Sequence, residues 1–391
     1  MSQGRSTPAA HGYSEEGLWQ VAVKAAGLLD HSALSVRCRR PLIDGDCPEV
    51  ADADLVAIWD RPDELPERTT VDGPGGRVFV DVLWIPASAL IDPGDAAGYM
   101  MLPHLLSESE EVSTRPGPVG AMVENVLRSM YERSIWERRI GGQLNFGDAA
   151  LAEASRNMNF PPAVLFFLQA AHSYYMTALA DCLKMSVMSL LTRPITKLRR
   201  MSEETGCGLE ALLRANLRLE GDPSASLQAL RRVHEAVVAH GSPRQVRSLG
   251  GRASGHYLYS ISPLELEYRE AVAAALARRA DHANANFFLR FWAYSLSRCP
   301  VVLEEAREGR EVSFYVPFKP FKESILASCP EILDDMKTIF GGELSASEAQ
   351  ASVEGTEAFR GLVAEQIRLS GLSPSRSSEA TSPRGRGARP S

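Results

Sequence analysis

Residues 77–85 read RVFVDVLWI, a run of β-branched and aromatic side chains with one aspartate, Asp81, in its middle. That composition predicts a strand set inside a sheet. A carboxylate buried there without a partner costs several kcal/mol or more. The chain must therefore bring something to Asp81. The preceding β-prone run is Asp52–Trp59, DADLVAIW, which opens with acids at alternate positions. Side chains at i and i+2 of a strand share a face, so Asp52 and Asp54 project together. With the two strands side by side, three carboxylates meet on one face.

The surrounding pattern frames a small sheet. Glu15–Leu29 has Leu18, Val21, Ala22, Ala25 and Leu28 on one helical face. Ser32–Cys38 is a short strand. Pro41, Gly45 and Pro48 make 39–51 a loop, and 61–76 is a Pro/Gly-rich connection.

Past Pro86 the periodicity turns helical. Val119–Ile140 carries Val123, Val126, Leu127, Met130 and Ile135 at helical spacing. Further helices are expected over 148–158, from Pro161 to about Leu191, and over 195–201, 209–219, 223–238, 263–279, 283–297 and 323–340. A short strand is expected at 312–316. From 345 the patterning fades, with room for one more helix over 356–370, and the end SPSRSSEATSPRGRGARPS is low-complexity.

The expected fold class is α+β. Residues 1–14 are read as disordered, 15–110 as a small mixed sheet with flanking helices, 119–342 as a larger all-helical region, and 345–391 as a mostly disordered tail.

Charge and composition exclude several classes. The net charge of −7 argues against an extensive nucleic-acid surface, which needs surplus Lys and Arg. The six cysteines form no C-x-x-C pair, so reduced thiols in a cytoplasmic protein are expected rather than zinc or disulfides. The N-terminal MSQGRSTPAAHGYSEEG has no apolar core of a secretory signal. The most apolar stretch, 163–191, is interrupted by His172, Asp181 and Lys184. A buried helix explains it better than a membrane span.

The acidic trio carries the chemistry. Carboxylates this close repel, and a divalent cation removes the repulsion. Mg²⁺ takes carboxylate oxygens and keeps positions for water and phosphate. A pair of such ions clamps both oxygens of a phosphoryl transfer. Asp81 is placed to orient or deprotonate an attacking hydroxyl.

On these residues, Ser32–Leu55 with Val78–Ile85 resembles the minimal nucleotidyltransferase fold of the DNA polymerase β superfamily. It is most similar to the bacterial kanamycin- and lincosamide-type antibiotic nucleotidyltransferases. In that family a strand ends in Gly-Ser, a glycine follows, then a D-x-D strand, then a third Asp on a later strand. Gly45 stands at the second glycine. The resemblance implies that Asp52 and Asp54 bind metal with the nucleotide triphosphate and that Asp81 is the third carboxylate. It covers roughly residues 15–90.

Where the family has Gly-Ser, this chain reads Arg40-Pro41. Pro41 has no N–H to give a phosphate, which leaves the forks of Arg39 and Arg40 for that role. Arg193 and Lys197, in LLTRPITKLRRM, match an Arg/Pro turn and a triphosphate-facing Lys of the same enzymes. Their plainer reading is cations at a helix C-terminus.

His172 is read as a core histidine, Glu124, Glu132 and Glu137 as a solvated face, and the cluster Phe287, Phe288, Phe291, Trp292 and Tyr294 as core. The implied function is Mg²⁺-dependent transfer of a nucleoside monophosphate from an NTP, ATP first among them, to a hydroxyl on a small molecule. No membrane partner is expected, and a homodimer is kept as an option. The alternative is a catalytically inactive protein of the same fold with a binding or regulatory role.

Overall fold

The computed structural model describes residues 15–29, 33–39, 50, 52–60, 69–73, 76–187, 190, 193–241, 260–307, 329–342 and 344–374. Helix α1 (Glu15–Leu29) precedes strands β1 (Ala33–Arg39), β2 (Asp52–Trp59), β3 (Thr69–Gly73) and β4 (Gly76–Pro86). Short helices α2 (Pro93–Gly98) and α3 (Leu102–Ser107) lead to β5 (Ser109–Thr114). Helices follow: α4 (Val119–Ser129), α5 (Arg133–Arg156), α6 (Pro161–Cys182), α7 (Pro194–Thr205), α8 (Leu209–Leu217) and α9 (Ser224–His240). The series ends with α10 (Pro263–Arg278), α11 (His282–Arg307), α12 (Leu333–Ile339) and α13 (Ala346–Leu369). The fold is α+β, a five-stranded mixed sheet followed by a larger helical region.

The sheet order is β3-β4-β2-β1-β5. β2 runs parallel to β4, and the other three pairings are antiparallel. The three strands expected for the sheet are all present. The two additional ones, β3 and β5, are the edges. β3 lies inside the expected 61–76 connection and forms a hairpin with β4, where Gly76 takes a φ of 122° that a side chain would oppose.

Each sheet face has its own cover. Ala53, Leu55 and Ala57 of β2 and Val78 and Val80 of β4 pack on α1 through Leu18, Val21, Ala22 and Ala25. On the other face, Val56, Ile58 and Ile85 pack under α2, α3 and α4. Phe79, also on that face, belongs to the core of the helical region instead, with residues of α6, α9, α10 and α11. Helix α6 is buried nearly all round, as a largely apolar sequence with no polar face demands.

Several helix boundaries differ from the sequence reading. Val119–Ile140 is two helices, since the chain breaks after Ser129 and restarts at Arg133. The second helix runs on through 148–156. α6 stops at Cys182, well short of Leu191. There Lys184 takes a left-handed φ of 56°, while Met185 N bonds Ala180 O and Lys184 N bonds Asp181 O. This is the paired-bond helix stop normally built on glycine.

The expected tail from 345 instead begins with α13. Ser345 and Glu348 form a capping box at its start, and Val353, Phe359, Val363 and Ile367 pack into the core around α6. The expectations for 1–14, 312–316 and 375–391 fall outside the described residues. Among the described residues no helix is long and apolar enough to cross a membrane.

Candidate active site

The β2–β4 register decides where the acids go. Asp54 lies across from Asp81, and Asp52 lies across from Phe79. Paired residues of neighbouring strands share a face, as do residues two apart along one strand. Asp52, Asp54 and Asp81 therefore look out on one side, opposite α1. Each is partly exposed. On that face they occupy a strip between the cover of α2–α4, over Val56, Ile58 and Ile85, and the docking point of α10, over Phe79.

Arg39 extends the row onto β1. It lies one step beyond the Cys38–Leu55 pair, and its Nη1 is 3.4 Å from Asp54 Oδ2. Its Nε is 3.8 Å from Glu108 Oε2. Glu108, just after α3, is buried, and it accepts from Ser186 Oγ at 2.6 Å and from the Val187 amide at 3.2 Å. Glu108 thus ties the stretch after α6 to the rim of the acidic strip.

Asp52 is engaged from the other side. Tyr268 of α10 donates its hydroxyl to Asp52 Oδ2 at 2.6 Å. The Tyr268 ring meets Phe79 edge-on at 5.4 Å. Beside it Glu267 pairs with Arg77 of β4, whose guanidinium lies 5.5 Å from the Phe79 ring centre. Two successive residues of α10 therefore clamp two strands of the sheet.

The field of the acids reaches through the sheet. Cys38, facing α1 from β1, has its thiol pushed up to about 12 by burial, with Asp54 and Asp52 adding to the effect.

The structure thus sets Arg39, Asp52, Asp54 and Asp81 on one face of the sheet. Arg40 and Gly45 lie outside the described residues. Arg193 and Lys197 come with α7, Arg193 as the residue before its first turn and Lys197 fully buried within it. That helix is fastened to α11 by the bond from the Ile195 amide to Asn284 Oδ1 at 3.0 Å. The sequence reading missed Glu108, Arg77, Glu267 and Tyr268. Charged and aromatic residues at a strand's start, on a helix or just after one carry no local mark of what they will meet.

Three carboxylates are the hard-oxygen donor set that Mg²⁺ prefers. As placed, Asp52 and Asp54 are held by Tyr268 and Arg39. Among the described residues no three His, Cys, Asp or Glu side chains are grouped closely enough to hold a metal ion. No protein-family model and no curated protein matches this chain.

Proposed function

We propose that the chain is a Mg²⁺-dependent nucleotidyltransferase. It would move a nucleoside monophosphate from an NTP, with ATP as the first candidate, to a hydroxyl and release pyrophosphate. One observation carries this reading. Parallel pairing puts Asp54 across from Asp81, with Asp52 on the same face, on a strip bordered by the helical region. The resemblance of Ser32–Leu55 and Val78–Ile85 to minimal nucleotidyltransferases adds to it.

Asp54 and Asp81 are the ligands this geometry favours for the ion, with Asp52 beside them. When bound, Mg²⁺ supplies charge neutralisation at the triphosphate and at the oxygens that gain charge. The protein's own groups do the rest. Arg39, held between Asp54 and Glu108, offers a planar fork to phosphate oxygens at the rim. Asp81 accepts the proton of an acceptor hydroxyl. The helical region holds that acceptor against the strip and limits the water around it.

A second reading has its own observation. Tyr268 and Arg39 already occupy oxygens of Asp52 and Asp54, which suits a nucleotide-binding module that does no transfer.

Thermal-shift measurements with ATP, GTP, CTP or UTP, with and without MgCl₂, test both readings against neither. A stabilisation that requires Mg²⁺ and is lost in Asp54→Ala or Asp81→Ala is expected. Pyrophosphate release separates transfer from binding alone. No NTP-dependent shift at all would end both readings.

A further inference from the structure

Resting on the nucleotidyltransferase reading, we propose that Tyr268 is itself an acceptor, so that the chain nucleotidylates its own α10. An acceptor hydroxyl must come within about 2.6–3.2 Å of the carboxylate that takes its proton. The Tyr268 hydroxyl is 2.6 Å from Asp52 Oδ2, on the acidic strip itself.

The phenol is delivered there by built contacts. Phe79 packs against its ring at 5.4 Å, the adjacent Glu267 grips Arg77, and the side chain sits in the core with only 8% of its surface exposed. Asp54 remains accessible beside it, with 38% of its side chain exposed. The exposed side of Asp54 is where a triphosphate would enter the row. A nucleophile held this way reacts as a tethered group, which raises its effective concentration by orders of magnitude.

The step balances as follows. Tyr268 Oη forms a bond to the α-phosphorus of an NTP. The bond from that phosphorus to the oxygen bridging to the β-phosphate breaks, and pyrophosphate leaves with the electron pair. The hydroxyl proton passes to Asp52 Oδ2, which takes for this tethered acceptor the part Asp81 has for a free one, with Asp54 and Asp81 left as the ligands of the ion. The product is a tyrosyl phosphodiester. It no longer has a proton to give Asp52, and its added bulk pushes α10 away from the strip.

The test uses the full chain incubated with MgCl₂ and each of ATP, GTP, CTP and UTP. Intact mass, peptide mapping and pyrophosphate release are followed, together with the thermal shift. With one of the four, the expected result is the mass gain of a single nucleoside monophosphate on the peptide holding Tyr268, one pyrophosphate released per label. Tyr268→Phe should keep the aromatic contact with Phe79 and the Mg²⁺-dependent NTP thermal shift, and lose the label entirely.

A thermal shift without label at Tyr268, or a label that persists in Tyr268→Phe, overturns this proposal and leaves the nucleotide site standing, with pyrophosphate release to a small-molecule hydroxyl then deciding between transfer and binding alone. Absence of any Mg²⁺-dependent shift overturns both.

Discussion

Asp54 of β2 and Asp81 of β4 face each other across a parallel pairing, and Arg39 of β1 stands on the far side of Asp54. One cation from the protein thus already leans on a carboxylate that the proposed chemistry requires. Replacing Asp54 separates what the residue does for folding from what it does for ligand. The Arg39–Asp54 pair is partly exposed and 3.4 Å long, so its loss costs under about 1 kcal/mol. Asp54→Asn should melt close to the wild type without ligand and lose the Mg²⁺-dependent stabilisation by NTP. Calorimetry with and without ATP and MgCl₂ reads both, and retention of the stabilisation would count against the site.

Arg139 and Asp181 make the buried ion pair that joins α5 to α6. Arg139 Nε and Nη2 donate to the two Asp181 oxygens at 2.7 and 2.8 Å, with both side chains fully buried. Arg139 also donates to the carbonyls of Ala97 and Met130, and His104 Nε2 is 3.4 Å from Asp181. Burial raises the Asp181 pKa, and the bonds from Arg139 and His104 more than reverse this, so it ends below the ordinary carboxylate value. Arg139→Met leaves a buried carboxylate with only His104 beside it and should cost about 3–5 kcal/mol. Adding Asp181→Leu should recover most of it. Urea melts of the two variants decide. A double variant no more stable than Arg139→Met would mean that the carbonyl bonds, not the ion pair, set the cost.

Two glycines of α5 should respond with opposite signs. A Cβ on Gly142 meets nothing within 4 Å, whereas one on Gly147 runs into the Tyr175 ring. That ring is buried, and its hydroxyl is tied to Asp148 at 2.9 Å, so it has nowhere to retreat. Gly142→Ala should stabilise by up to about 1 kcal/mol through helix propensity. Gly147→Ala should destabilise by about 1–3 kcal/mol. Equal melting temperatures for the two variants would refute the close approach.

His172 gives the protein an acid-sensitive core. It sits where α6, α8 and α13 meet, with Nε2 at 3.1 Å from Thr356 Oγ1 and 3.3 Å from Asn216 Nδ2. Burial lowers its pKa from 6.5 to about 3. Between those values the unfolded chain binds a proton that the folded chain refuses. The contribution of neutral His172 is therefore complete above pH 6.5 and declines as pH falls. The slope from this one group is about 1.4 kcal/mol per pH unit. Stability measured from pH 7 to 5 should decline less steeply in His172→Gln than in the wild type. Parallel curves would show that His172 does not carry the effect.

How much of this was legible in the sequence depends on where each element buries its side chains. β2 and β4 are central and pack on both faces, so their apolar runs announced them, and Asp52, Asp54 and Asp81 were conspicuous against that background. β5, SEEVST, and β3, TTVDG, are edges with one partner strand each and few buried residues. Such strands carry almost no hydrophobic pattern.

α13 was missed in its first half for a different reason. Its buried stripe includes Ala349, Ser352 and Thr356, small or polar side chains that a count of apolar residues passes over, although Thr356 is where His172 finds its partner. Tyr268 fell inside a helix that was anticipated, but nothing local says that its hydroxyl ends on a carboxylate 216 residues earlier in the chain. The face shared by Asp52, Asp54 and Asp81 followed from strand alternation. The groups that would receive them came from tertiary packing.

Phe79 is anchored in the wrong camp for a sheet residue: its neighbours are the helices, while its backbone belongs to β4. The proposed chemistry and the helical scaffold thereby share a rivet. A domain swap that lifted the sheet alone into another protein would strip the rivet bare and leave Asp52 without its phenol. Grafts of this half should carry α10 with them.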